Sequence, residues 1–229
     1  MHLPALVSYL QGLRENNNKA WFVMNKPAYD ILRPEFISLV GEVVAGLAKH
    51  DPLIADVDAK KALFRIYRDM RFSNDKTPYK SYFSAALAEF GQKKTGPMYY
   101  LSIDADARLH LAAGCHLPER DALARFRRHV VDDHAGLARV IRNKRLVSTF
   151  GGLSEEDQLA RLPKGYDPAT PGIERYADLL RHKSFVVETN VNLGVKSQAR
   201  EADALVATIV DRFAAAVPLN DWLRKAPRE

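Results

Sequence analysis

The densest concentration of groups able to grip a charge lies at residues 60–80, KKALFRIYRDMRFSNDKTPYK. Lys60, Lys61, Arg65, Arg68, Arg71, Lys76 and Lys80 stand there against only Asp69 and Asp75. An arginine offers a planar fork that matches phosphate or carboxylate. On an extended strand Arg65, Tyr67, Asp69 and Arg71 share one face, because successive side chains alternate. Arg68 falls on the other face unless a bulge re-aims it. Residues 73–77 would then fold lysine and hydroxyl groups over a bound anion. The competing use of these charges is architectural, with Arg68 and Arg71 holding Asp69, Asp75 or distant acids, since ion-pair networks imitate sites. The segment has no Walker or dinucleotide glycine pattern, so nothing supports a nucleotide-binding loop of those kinds.

Outside this segment the chemical groups are sparser. His116 follows Gly114 at the end of an expected strand, where site residues commonly sit. It could serve as a general acid or base oriented by Asp69, or be structural, as a lone histidine usually is. His110 lies six residues away on the same strand face, too far for a tight metal pair, and no histidine or acid cluster has metal-ligand spacing. Cys115 points away from both and reads as a small buried residue. Trp21, Asn25 and Tyr29 sit at i, i+4 and i+8, one face of a helix. They read either as a pocket wall with a hydrogen-bonding amide or as core anchors beside an amide that satisfies backbone, the commoner use of buried aromatics. Arg125, Arg127, Arg128, Arg139, Arg142, Lys144 and Arg145 could stripe a helix for nucleic acid, but Asp132 and Asp133 interrupt them, and a solvated face is favoured.

The elements that must position these groups follow from periodicity. Residues 3–15 carry Leu3, Leu6, Val7, Leu10 and Leu13 at helical spacing, and Asn16, Asn17 and Asn18 stop that helix. A second helix is expected over 21–50, broken or kinked near Pro27 and Pro34. Strands are expected at 62–69, 82–90, 98–104, 108–116 and 184–189, the third and fourth forming a hairpin, although the alanines of 82–90 leave a helix open there. Helices return at 118–131 and 133–143, and a brief one at 154–162 with Ser154 and Asp157 at its start. A long helix over 197–216 precedes a short turn at 218–224. The reading is α+β: a central, mostly antiparallel sheet of about five strands with N- and C-terminal helices packed on it. No repeat or linker divides residues 1–229, so a single domain is expected.

The same segment carries a resemblance. RIYRDMRFSNDKTPYK at 65–80 resembles the signature of the uncharacterised bacterial and fungal family known as domain of unknown function 2461. NNNKAWFVMNKPAYD at 16–30, AAGCHLPE at 112–119 and PKGYDPATPGIERYADLLRHKSF at 163–185 are similar to other stretches of that family, in the same order. The resemblance implies one α+β domain over nearly the whole chain and no established activity. It carries over Trp21, Asn25, Tyr29, Arg65, Arg68, Asp69, Arg71, Phe72, Lys76, Pro78, Tyr79, Lys80, Gly114 and His116. The family motif tolerates other residues at Cys115, which argues against a cysteine nucleophile.

The totals bound what remains. With 229 residues, 47% hydrophobic and 27% charged, the chain can bury a core without disulfide or metal staples. One cysteine excludes an internal disulfide and a multi-cysteine zinc site. No signal-like or membrane-spanning apolar run is present, so the expectation is a cytoplasmic protein without a membrane partner. A net charge of +6 leans toward anionic partners. The favoured function is an enzyme or binder of a phosphorylated or carboxylated small molecule, with no cofactor indicated. The alternatives are a nucleic-acid-binding module and a scaffold with a structural arginine network. Reaction type and oligomeric state are not legible.

Overall fold

The computed structural model describes residues 1–69, 75–89, 96–156, 158–194 and 201–227. Its helices are α1 (Leu3–Glu15), α2 (Lys19–Met24), α3 (Lys26–Leu47), α4 (Ala59–Ala62), α5 (Arg120–Ile141), α6 (Lys144–Phe150), α7 (Ala177–Arg181) and α8 (Glu201–Arg224). The strands β1 (Tyr82–Ala88), β2 (Met98–Asp104), β3 (Arg108–Cys115) and β4 (Phe185–Asn192) form one antiparallel sheet in the order β1-β2-β3-β4. The class is therefore α+β, with four strands rather than about five. Asp104 closes the β2–β3 turn, its carboxylate accepting from the amides of Asp106 (2.9 Å) and Arg108 (3.0 Å).

The chain forms two compact units. The first comprises Met1–Leu87, Tyr100–Leu111 and Asn190–Asp211; the second comprises Ala88–Tyr99, Ala112–Thr189 and Arg212–Glu229. In the first unit, α1 buries Leu3, Leu6, Val7, Leu10 and Leu13, as its spacing dictates. It packs on α3, which buries Phe36, Leu39, Val40, Val43 and Leu47. Asn16 caps the end of α1, and the Asn18 side chain accepts from Trp21 N to start α2. In the second unit, Phe126, Val130 and Leu137 of α5 are buried. Arg127 donates to the carbonyls of Leu180 (3.0 Å) and His182 (3.1 Å). Asp133 leaves helical geometry (φ −138°), so the expected break between residues 131 and 133 is a kink inside one helix. Its carboxylate accepts from the Trp222 indole at 2.9 Å.

Four expectations are corrected. Residues 62–69 make no strand: Asp58 caps α4, and the chain beyond meets its neighbour only at the bridges Leu63 to Ala85 and Tyr67 to Tyr79. Three residues between the bridges on one side oppose five on the other, so no regular ladder can form between them. Helix α3 runs through Pro34, which is exposed, while Pro27 sits in its first turn, where no amide is needed. Likewise α8 continues through Pro218 to Arg224 and absorbs the expected terminal turn. The described residues of 154–162 are not helical. Ser154 N goes to Val186 O (2.7 Å) and Leu159 N to Arg181 O (2.9 Å), so these donors are spent outside any local helix. Asp157, assigned to that helix's start, lies outside the described residues.

Gly114 sets where β3 ends. Its φ is +118°, and a Cβ there would stand 2.0 Å from the Phe185 carbonyl oxygen of β4. Gly151, at the end of α6, also has positive φ (+83°) but open space around it. Gly114→Ala should therefore cost about 3 kcal/mol or more, from strain and overlap with backbone together. Gly151→Ala should cost only the backbone term, roughly 1 kcal/mol. Urea unfolding of both variants checks the difference, and equal losses would contradict it.

Candidate functional site

The segment from Leu63 to Lys80 is held in place by backbone before its side chains do anything. Phe64 N donates to Ser84 O (2.9 Å), Arg68 N to Pro78 O (2.9 Å) and Lys80 N to Ile66 O (2.8 Å). Around the Tyr67–Tyr79 bridge, this pairing sends Tyr67 and Tyr79 to one side and Ile66, Arg68 and Lys80 to the other.

The tyrosine side is a packing surface. Phe22 stacks on Tyr79 at 4.3 Å between centroids and lies 5.9 Å from Tyr67. Asn17 clamps the same strand, accepting from Tyr79 N (3.0 Å) and donating to Tyr79 O (2.9 Å). Trp21 and Tyr29 both join this cluster through Tyr9, at 5.6 and 6.4 Å, and the Trp21 indole lies over Gly12. Asn25 does not share a continuous helical face with them. It ends α2 and precedes α3, and its amide donates to Trp21 O at 2.9 Å. Trp21 and Tyr29 are thus half-buried in a ring cluster, Tyr29 also lining the crevice under Phe64, and Asn25 caps a helix junction.

The opposite side carries the cations. Lys80 is half-buried, its Nζ 5.4 Å above the Phe64 ring. Burial first, and then the charges of Arg65 and Arg68, hold its ammonium below the ordinary lysine pKa. Among the described residues Lys80 has no carboxylate partner. Arg65 is exposed. Arg68 pairs with Asp75 at 2.5 Å, and Asp75 also accepts from Thr77 N (2.9 Å) and Thr77 Oγ1 (2.7 Å). Lys76 and Asp69 lie exposed on the same segment. Arg71, assigned to this site from sequence, lies outside the described residues.

Beside the cations runs a row of half-buried side chains that the sequence reading did not single out. Tyr82 of β1 has its pKa raised by burial and by Tyr100, while the Arg68 charge pulls the other way. Phe64 lies 6.1 Å from Tyr100 of β2, and Tyr100 lies 5.9 Å edge-on from His110 of β3. His110 Nδ1 is 3.2 Å from Asn190 Oδ1 of β4. With that amide oxygen as acceptor, the imidazole proton sits on Nδ1. The row thus crosses all four strands on one face, while Phe83, Leu101, Ile103, Leu109 and Leu111 are buried on the other. The signal was present in the sequence: Tyr82, Tyr100 and His110 occupy the polar positions of alternating strands. A crevice beneath Phe64 and Tyr82 holds only about 10 Å³, room for one water molecule, so any larger guest must sit on the face itself.

His116, Cys115 and the helical basic residues belong to the second unit. His116 is exposed directly beyond β3 and belongs to the second unit, whereas Asp69 belongs to the first. Cys115 is buried, and burial pushes its thiol pKa up to about 12, which keeps it a thiol at neutral pH. Of the helical basic residues, Arg127 is committed to two backbone carbonyls. No helix among the described residues is long and apolar enough to cross a membrane.

Comparison with known proteins adds one positive finding. The family described as conserved hypothetical protein (DUF2461) matches residues 5–222. No curated protein and no solved structure matches the chain.

The Lys80 environment has a measurable consequence. Its folded pKa lies below the unfolded value, so the unfolded chain binds the extra proton at intermediate pH. Lys80 should therefore make stability rise with pH, up to the ordinary lysine value of about 10.4. The raised pKa values of Tyr9, Tyr29, Tyr79 and Tyr82 act in the opposite sense, above about pH 10. Subtracting the unfolding free energy of Lys80→Met from that of wild type at each pH isolates the lysine. The difference should move in favour of wild type as pH rises toward the ordinary lysine value of about 10.4; a flat difference would refute the placement.

Proposed function

The chain belongs to the conserved hypothetical family DUF2461, and we propose that it binds a small phosphorylated or carboxylated molecule on the open face of its sheet. The observation that carries this reading is Lys80: a half-buried ammonium beside Arg65 and Arg68, with no carboxylate partner among the described residues. Like charges brought together cost free energy, and a bound anion would remove that cost. The Arg68 fork and the mobile donors of Lys80 would hold the guest's oxygens. Phe64, Tyr82 and Tyr100 would wall it, and Tyr82 would exchange a proton with it. Asp69 lies on the same segment as these cations.

The ligand class follows from the cations and the small neighbouring space. A compact anion with little apolar bulk suits an open face beside a crevice that fits a water molecule. The bases of a nucleic acid would call for further stacking rings along a groove, and Arg127 is already spent on backbone.

A bound anion favours the charged lysine, so binding should raise the Lys80 pKa, take up a proton, and tighten as pH falls through that pKa. Titrating lysine-labelled protein with inorganic phosphate and with acetate, followed by NMR at the Lys80 side chain, measures this directly. Arg68→Gln should weaken phosphate binding by about 1.5–3 kcal/mol, the range for a charge-assisted hydrogen bond. Lys80→Met provides a second variant that leaves the Arg68–Asp75 pair in place. A Lys80 resonance that responds no more than those of exposed Lys60 and Lys61 would overturn the reading.

A further inference from the structure

We propose that Lys80 is a nucleophilic amine that forms an imine with the carbonyl carbon of a small 2-oxo acid whose carboxylate is gripped by Arg68 and Arg65. The inference rests on the anion site just described and names its substrate class. Three features of the geometry point to it. The Lys80 Nζ is half-buried over the Phe64 ring and has no carboxylate partner among the described residues, so no ion pair ties up its lone pair. Two guanidinium groups act on it, which is what an acid group one carbon from the reacting carbonyl requires. Tyr82, which lines the crevice beside Phe64, is the hydroxyl placed to lend and recover a proton.

Reactivity follows from the same surroundings. An amine attacks only when neutral, and each unit of pKa below the ordinary value raises the neutral fraction at neutral pH about tenfold. Desolvation beside other cations is a general way to activate a lysine. The repulsion that depresses the ammonium also disfavours a protonated imine, but the incoming carboxylate offsets it by neutralising one guanidinium. A phosphate ester without a carbonyl would bind in the same place and undergo no step.

The chemistry balances without any further reactant. The Nζ lone pair attacks the carbonyl carbon, and the π pair moves to oxygen. The two amine hydrogens then leave with that oxygen as water, and the C=N bond forms. Cyanoborohydride, added as reductant in the test, delivers hydride to the imine carbon while nitrogen takes a proton from water. The product is a stable secondary amine on Lys80.

The experiment treats the full chain with pyruvate and cyanoborohydride at neutral pH and maps labelled lysines by peptide mass. Lys80 should be labelled severalfold faster than exposed Lys60 or Lys61, because its lowered pKa leaves more of the amine neutral. The preference should disappear in urea-unfolded protein. Acetate should slow labelling at Lys80 alone, and Arg68→Gln should slow it while the protein stays folded. Lys80→Arg should remove that label and no other. Labelling of Lys80 at or below the rate of Lys60 and Lys61 overturns the proposal. If phosphate still shifts the Lys80 resonance in that case, only the imine falls; if it does not, the anion site falls with it.

Discussion

Two backbone hydrogen bonds, Arg68 N to Pro78 O and Lys80 N to Ile66 O, hold two cations where their own repulsion would part them. Everything distinctive about this face depends on that enforcement. Long basic side chains left to themselves swing into water and separate. Here the pairing puts Arg68 and Lys80 on the same side, and the Phe64 ring beneath Lys80 limits its retreat. The free energy for this comes from the reverse side, where Phe22 stacks on Tyr79 and Asn17 clamps the Tyr79 backbone in both directions. Packing on one surface thus sustains an unfavourable charge arrangement on the other, the pattern expected where strain is kept for a purpose.

How much of this was legible in the sequence depends on the range of the interaction that decides it. The α1 stripe, the asparagine caps and the β2–β3 hairpin are local, and residues within a few positions of one another settle them. The basic segment was legible as chemistry, and the resemblance to the family was carried by the same residues. Its geometry was not legible. Alternation over 62–69 imitates a strand, yet whether a strand forms depends on residues 79–85, whose register slips by two positions between the two bridges. Trp21, Asn25 and Tyr29 keep helical spacing across a helix junction, because Asn25 can both end one helix and precede the next. The row of Tyr82, Tyr100, His110 and Asn190 needs all four strands in order before it exists. Nor does composition mark the two units, since each is assembled from three separated stretches with no linker between them.

The architectural reading of the arginines has its best support in Arg68, whose guanidinium meets Asp75. The electrostatics of that carboxylate decide what the pair is for. Asp75 is held below the usual carboxylate range first by the Thr77 amide and then by the Thr77 hydroxyl; the Arg68 charge is the smallest contribution. The acid is thus satisfied by its own turn and would stay ionised without the arginine. A carboxylate already carrying two hydrogen bonds from Thr77 competes weakly for the fork it touches, and the pair is partly exposed, where such contacts contribute little. Arg68 is therefore oriented by Asp75 more than neutralised by it. Its field still reaches both Lys80 and Tyr82, lowering the proton affinity of each. Among the described residues no carboxylate pairs with Lys80, so in the proposed reading a guest anion would meet an ammonium that no such acid already holds.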